Sequence, residues 1–571
     1  MKHSSFRPNF PTQYNQPSTQ ANGRLVSFAV GITLAIVIPH SGNTLANDCN
    51  HNGIPDAMDI DPNDPDGNGI TSPDCNSNGV PDECEFTLPV SQLKLAAPDT
   101  EAGDYFGWSV CIDTNTAIVG GTLENQGIVD TGAAHVFVKS ERGWEHQAKL
   151  SADDASEADA FGWSVSISGN TAIIGAALAD DGGNDAGSAY VFVRSGSIWT
   201  QQAKLAANDG SAEDRFGTSV SINGDTAVVG SRFGSSASGP NTGCAYIFHR
   251  SGGIWTQQAK LTADDAADSD EFGISASISG DTVAIGSRYG DSDSAADAGA
   301  VYVFERSGTA WALQAKLTAE DAAGSDEFGF SVAVSDDKTI VGAPFDDDSG
   351  LDSGSAYIFL RNGGAWTQQA KLATNDAEPN DQFGYSVSVD GDIAIIGAYL
   401  DDDDGDASGA AYIFTHDDTA WPQAAKLVAN DAAPGDYFGT CVSVSGDSAI
   451  VGALFDDDGG IDSGSAYLFS PAGDCNVNAI PDTCEPDHDN DGIINDCDNC
   501  PTLRNPSQTD LDADGVGDLC DNCPEVANLD QLDSNNDSIG DVCPCPMRGD
   551  MNDDGIVDSN DIQLFVEKLL S

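Results

Sequence analysis

The chain has 571 residues, with 92 Asp and Glu against 23 Lys and Arg. Residues 1–46 hold Lys2, Arg7 and Arg24 and no acid, so the remainder sets 20 bases against 92 acids, a net charge of −72. Such a field repels nucleic acid and anionic membrane surfaces, excludes nucleic acid as a partner, and calls for cations to offset it, with calcium the natural match to carboxylate oxygens.

At the N-terminus Arg24 precedes an apolar run over residues 25–38, Pro39 breaks it, and small residues lead to Ala46. This reads as a secretory signal, residues 1–46, because fourteen apolar residues fall short of the ~20 that a helical span needs. No second apolar run of spanning length follows. The expectation is an exported chain, secreted or at the cell surface, with no membrane span after signal removal. Eleven of the 14 Cys lie outside residues 86–472, and an exported chain makes disulfides of them.

Residues 47–85 carry two acidic loops. Asp48, Asn50, Asn52, Asp56 and Asp59 stand at positions 1, 3, 5, 9 and 12 of one; Asp74, Asn76, Asn78, Asp82 and Glu85 repeat the pattern, with Gly79 at position 6. This is EF-hand loop spacing: alternate residues aim oxygens at one centre, and the twelfth chelates. Cys75 with Cys84 could staple the second loop.

From residue 86 to 472 the chain repeats. Phe-Gly recurs at 106, 161, 216, 272, 328, 383 and 438, with spacings of 55, 55, 56, 56, 55 and 55. One unit reads FGWSVSISGNTAIIGAALADDGGNDAGSAYVFVRSGSIWTQQAKL, and its turn residues divide it into four strands. WSVSIS alternates, TAIIGA is apolar throughout as in a strand buried on both faces, and SAYVFV and IWTQQAKL follow. Seven four-stranded units predict an all-β, seven-bladed propeller. Six units end in a Trp…Lys-Leu strand, at Trp144, Trp199, Trp255, Trp311, Trp366 and Trp421; the seventh lacks one, yet a lone VSQLKL stands before the first Phe-Gly. That segment is expected to complete the last blade and close the ring.

With FGFSV and TIVGAP both intact in the fifth unit, the repeats resemble FG-GAP repeats, the blades of the integrin α-subunit propeller and of related bacterial surface proteins. The resemblance implies a propeller used for binding or adhesion, with an extracellular protein or glycan as ligand. One departure stands out. Integrin-type blades carry a calcium loop before the Gly-Ala-Pro strand, whereas here that turn is short (SGNT, DGDI, SGDS) and the acids follow it: Asp346–Asp348 with Asp352, Asp401–Asp404 with Asp406, and Asp456–Asp458 with Asp462. Weak calcium binding and plain solvation are the two readings of those clusters.

Residues 473–546 are acidic again. Asp474, Asn476, Asn478, Asp482 and Glu485 repeat the loop spacing, with Ala479 in place of glycine and with Cys475 and Cys484 placed to staple it. Three further sets follow: Asp487, Asp489, Asp491, Asn495 and Asp498; Asp510, Asp512, Asp514, Asp518 and Asp521; and Asp533, Asn535, Asp537 and Asp541. With DNCP twice, this stretch resembles thrombospondin type 3 repeats, which implies Ca2+ ligation with little apolar core and bridges Cys500–Cys520 and Cys523–Cys543. Residues 547–571 place Asp550, Asn552, Asp554, Asp558 and Asp561 in a last loop, before one helical face of Ile562, Phe565, Val566, Leu569 and Leu570. This resembles one half of a dockerin, where a whole dockerin has two, and implies a cohesin-like or cell-wall partner. Arg548-Gly549-Asp550 is read as coincidence, since Asp550 is the first ligand of that loop.

No catalytic motif emerges. There is no nucleophile elbow, His-Glu-x-x-His or phosphate loop, and paired carboxylates are too common to inform. His135, His146, His249 and His416 read as falling at non-equivalent places in different blades. Cys111 and Cys441 stand on equivalent strands of the first and last blades, as a pair or as buried thiols, and Cys244 has no evident partner. The expectation is a binding protein rather than an enzyme. A secreted propeller hydrolase acting on glycans or phosphoesters is the alternative, one that His, Glu and Arg converging on the propeller axis would favour.

Overall fold

A computed structural model describes residues 90–471 except 126–127, 141–142, 293–294, 418 and 447, and in addition 488, 495, 498–504, 509, 511, 516–524, 526 and 531–532. The segment read as a signal, both loops of 47–85, the loop of 474–485, the set beginning at Asp533 and the end read as dockerin-like lie outside the described residues. The described residues contain no helix; the chain runs as 28 strands in seven four-stranded sheets.

Each sheet is an antiparallel meander. In the second blade the strands are Phe161–Ser168, Thr171–Ala176, Ser188–Ser195 and Ile198–Leu205, adjacent in that order. Every residue of Thr171–Ala176 is buried, because the neighbouring blades cover both its faces. The fourth strand alternates exposed and half-buried residues until its terminal leucine, as an outer strand should.

The Phe-Gly pair has a physical reason. Phe161 is 1 % exposed and packs its ring against Tyr190 and Phe192 of its own blade, at 5.5 and 6.0 Å. Gly162 follows at φ +92°, in a bulge that shifts the register between Phe161 and Ser164, and a Cβ there would stand 2.4 Å from the Ala133 carbonyl oxygen. Between first strands, the hydroxyls of Ser109, Ser164, Ser219, Ser275, Ser331 and Ser386 each donate to the Phe-Gly carbonyl of the next blade, at 2.8–2.9 Å.

The ring closes as expected. The last blade has Phe438–Ser445, Ser448–Ala453 and Ser465–Pro471, and its fourth strand is Val90–Leu95, in register from Val90↔Pro471 to Leu95↔Ala466. The seventh interblade bond is made by sulfur: the Cys441 thiol donates to the Gly107 carbonyl at 3.0 Å. Cys111, Cys244 and Cys441 are all free thiols, so the first and last blades are joined without a disulfide between them. Burial raises the pKa of all three, to about 12 for Cys441, as expected of inert core thiols.

Candidate functional site

Three places gather chemistry: the blade edges, the propeller axis and the thrombospondin-like loops.

At the edges, the lysine of each Lys-Leu strand ties its blade to the connection that enters it. Lys149, Lys204, Lys260, Lys316, Lys371, Lys426 and Lys94 pair with Asp99, Asp154, Asp209, Asp265, Asp321, Asp376 and Asp431, at 2.5–3.1 Å. Each of these acids comes from the connection into the lysine's own blade. In blades 5, 6 and 7 the acids after Gly-Ala join in. Lys371 Nζ lies 3.0 Å from Asp346, with Asp348 on its other side; Asp401 and Asp403 hold Lys426, and Asp456 and Asp458 hold Lys94. Tyr357, Tyr412 and Tyr467 donate their hydroxyls to Asp346, Asp401 and Asp456 at 2.6–2.7 Å.

The oxygens of Asp321, Asp346 and Asp348 lie within 4.8 Å of one another, near enough to share one cation. That cation is already built in. Burial alone would lower the Lys371 pKa, but its hydrogen bonds to Asp321, Asp348 and Asp346 carry it above its ordinary value. In blade 5 an ammonium thus stands among Asp321, Asp346 and Asp348 where an ion would, while Asp347 is exposed, as the solvation reading has it. Blade 1 varies the theme with His135 for tyrosine and Glu124 for aspartate, and His135 contacts Glu124 at 2.8 Å and His146 at 3.0 Å. His135 and His146 thus share one blade, contrary to the scattered placement read from the sequence.

A second carboxylate ring precedes each Phe-Gly. Asp104, Asp326, Asp381 and Asp436 are buried and accept from a backbone N–H three residues earlier, yet burial pushes each up to about 6. A folded-state pKa above the ordinary 3.8 means that the native state holds more protons between about pH 4 and 6. Stability then falls as pH rises through that window. In chelator, calorimetry of the chain should show the unfolding temperature rising as pH drops from 7 to about 5; a fall over that range would refute this.

The axis differs from the edges, because it breaks the sevenfold pattern. The residues just before Phe-Gly are Tyr105, Ala160, Arg215, Glu271, Glu327, Gln382 and Tyr437, all left-handed at φ 52–57°. Left-handed backbone is costly for residues with a Cβ. On one side the ring is aromatic. Trp108 packs on Trp163 at 5.0 Å with the rings tilted by 53° and donates its indole N–H to the Trp163 carbonyl; Phe330, Tyr385, Tyr399, Tyr437, Phe455 and Tyr105 form a chain of contacts at 4.3–5.3 Å.

On the other side the ring is charged. Arg288 lies 3.1 Å from Glu271, 3.6 Å from Glu327, and 5.6 Å from the Phe330 ring, where the two sides meet. Arg215 and Arg232 both lie over Phe233. Burial lowers the Arg232 pKa to about 10 against the pull of Glu271, with Arg215 and Arg288 adding like charge. Burial raises Glu327 to about 7, even with Arg288 beside it. Tyr385 of blade 6 feels both Arg288 and Arg232, so blades 3, 4 and 6 converge here. Two buried polar atoms here lack a hydrogen-bond partner, Nε of Arg232 and Oε1 of Gln382, while Oε2 of Glu271 and of Glu327 meet Arg288 only as ion pairs. Sequence reading missed this set. Its signal was the columns that vary from blade to blade, just before Phe-Gly, two residues after the Phe, and just after Gly-Ala.

In the acidic C-terminal stretch, the Cys500–Cys520 bridge is present as expected, and Cys523 is also disulfide-bonded, with its partner outside the described residues. Of the expected ligands, Asn495, Asp498, Asp518 and Asp521 are described. Asp498 accepts from the Cys500 N–H at 2.8 Å, and Asp521 accepts from the Cys523 N–H at 2.7 Å, the same turn in both DNCP motifs. Asp518 accepts from the Leu511 N–H at 2.8 Å, and Asn495 from the His488 N–H at 3.0 Å. These are oxygen donors oriented by backbone amides, and no lysine stands among them in the sequence, so they fit calcium where the blade acids do not. Among the described residues no helix is long and apolar enough to cross a membrane.

Comparison with known families agrees with this division. The FG-GAP repeat model matches residues 90–137, 144–192, 199–248, 255–304, 311–359, 366–414 and 421–469. Each match begins on the fourth strand of one blade, or in the last case two residues before it, and ends on the third strand of the next, which is why the first begins at the lone strand. The thrombospondin type 3 repeat model matches residues 473–508 and 507–531. No curated protein matches the chain. Among solved structures, the crystal structure of the Saccharomyces cerevisiae Sqt1 is similar at 12 % identity and a TM-score of 0.35, over 64 % of this chain and 84 % of that one.

Proposed function

The chain belongs to the FG-GAP repeat family, and on that premise we propose that it is an exported calcium-binding protein of the adhesion type, whose propeller presents the binding face and whose acidic flanks hold the calcium. The observation that carries this reading is the junction, on one chain, of a closed FG-GAP ring with thrombospondin type 3 repeats, two modules typical of extracellular proteins. In this reading residues 1–46 are the export signal, the loops of 47–85 and 473–546 take calcium through the residues named above, and the C-terminal loop and helix meet a cohesin-like or cell-wall partner. The propeller's ligand is an extracellular protein or glycan.

The test is thermal unfolding of the chain from residue 47, in calcium and in chelator. Calcium at a hundredfold excess over a site's Kd adds about 2.7 kcal/mol. The flanks' transition should therefore move up in calcium while the ring's transition stays in place. If neither moves, the calcium reading fails.

A second reading, a secreted propeller hydrolase for glycans or phosphoesters, draws on one observation. Glu271 and Glu327 flank Arg288 on the axis, and Glu327 sits near 7, where a carboxyl can serve as acid or base. Release of new reducing ends or of phosphate from a candidate substrate, abolished by Glu327→Gln, would favour it over adhesion.

A further inference from the structure

We propose that the charged half of the propeller axis binds an acidic saccharide, with a uronate carboxylate on Arg232 and Arg288, hydroxyls on Glu271, Glu327 and Gln382, and the sugar face against Phe330 and Tyr385. The proposal rests on the binding reading above and names the ligand class of that face.

The framework explains every other arginine of the described ring. Arg194, Arg250, Arg306 and Arg361 lie over the Trp of their own fourth strands at 5.1–5.6 Å and donate to a threonine of another blade. Only Arg215, Arg232 and Arg288 stand outside that pattern, and all three are on the axis. In a chain of net charge −69, three guanidiniums set against two carboxylates make a local excess of positive charge. Such a cluster is costly to bury: Arg232 is held below its ordinary pKa, a donor (Arg232 Nε) and an acceptor (Gln382 Oε1) lie buried without hydrogen-bond partners, and Glu327 Oε2 has only Arg288 at 3.6 Å. A ligand carrying both donors and acceptors would relieve them.

The mixture selects the ligand class. Planar guanidinium forks suit a carboxylate or sulfate. The glutamates and Gln382 suit hydroxyl donors, which an acidic peptide side chain lacks. Aromatic faces suit the C–H face of a pyranose ring, and Phe330 and Tyr385, 4.7 Å apart, adjoin Arg288. Glu271 side chains are 9 % exposed, Glu327 13 % and Arg288 20 %, so solvent reaches the ring. The left-handed backbone that every blade has before its Phe-Gly places Arg215, Glu271, Glu327 and Gln382 at equivalent positions around the axis.

The test is calorimetric titration of the full chain from residue 47, in calcium, with an oligogalacturonate and with a neutral oligogalactoside of the same length. Saturable binding at one site per chain is expected, at least tenfold weaker for the neutral oligomer and weakening with added salt. Arg232→Gln should lower affinity at least tenfold while the ring's unfolding temperature holds; Arg288→Gln should lower it as much and also destabilise the ring, because it leaves Glu271 and Glu327 without their cation; and Tyr385→Leu should lower it several-fold. If Arg288→Gln does not fold, Arg232→Gln and the paired ligands decide. Equal binding of the two oligomers, unchanged affinity in both arginine variants, equally tight binding of oligoglutamate, or no saturable binding would each overturn the proposal. If the calcium transition stands while no saccharide binds, only the axial assignment falls; if the calcium transition is also missing, the adhesion reading falls with it.

Discussion

A chain lacking residues 90–95 is expected to lose its cooperative unfolding transition and to self-associate. Those residues are the fourth strand of the last blade, and removing them strips six paired positions from the edge of Ser465–Pro471. Leu95, 4 % exposed in the core between the last and first blades, contributes about 2 kcal/mol. Lys94 goes with it, leaving Asp456, 2 % exposed, as a buried carboxylate with no cation and only the Tyr467 hydroxyl and the Asp458 N–H as donors, a loss of about 3 kcal/mol. Each lost ladder bond adds about 1 kcal/mol. The total rivals the whole stability of a domain, about 5–15 kcal/mol, and the bared edge is a template for another chain. Sedimentation and calorimetry decide. A monomer melting at the parent temperature would show that the ring does not depend on its closing strand.

Replacing Lys371 by methionine should destabilise the ring by about 3 kcal/mol, the usual loss when one partner of a buried pair is removed. Asp346 is 3 % exposed and would keep its charge with no cation beside it. The exposed partner Asp348 contributes little. Over a ring of this size the melting temperature should drop by roughly 3 °C. The informative part is the rescue. With the ammonium gone, the oxygens of Asp321, Asp346 and Asp348 remain close enough to share one ion, so calcium should restore part of the loss in Lys371→Met and do nothing for the ring of the parent chain. Adding Asp346→Asn should remove both the defect and the rescue. A variant as stable as the parent in chelator would mean that the lysine is not the neutralising ion.

The blade number, the strand limits and the closing strand were legible because seven copies repeat one pattern, and errors in one copy are corrected by the others. The buried second strand could be read from TAIIGA alone, and Phe-Gly from its recurrence, though the bulge it serves was not read. The Cys500–Cys520 bridge was implied by the resemblance to thrombospondin type 3 repeats that DNCP carries. The lysine bridges were not legible. In AKL the lysine looks like one outward residue of an alternating strand, and its partner, Asp321 for Lys371, stands 50 residues away in the connection that enters the blade. The axial set was hidden for the opposite reason. Repetition draws attention to columns that agree, while Arg232, Glu271, Glu327 and Tyr385 sit in columns that disagree, and only closure of the ring brings blades 3 and 6 together. The distribution of calcium was half legible: the loop spacing marked the flanks, but nothing in the spacing of Asp346, Asp347 and Asp348 tells that a lysine of the same blade lies among them.

The closing strand also decides how the ring answers a mechanical load. Val90 faces Pro471, so the chain enters and leaves the propeller side by side, at one end of one antiparallel pair. Tension drawn between the two flanks acts on that pair end-on and parts it like a zipper, one rung after another from Val90 towards Leu95, rather than shearing all six rungs together. The other six blades, each made of a continuous stretch of chain, would carry none of the load until Leu95 let go. A tether held by one flank alone would leave the ring unstretched, so the two attachment points make the last blade the mechanical fuse of the molecule.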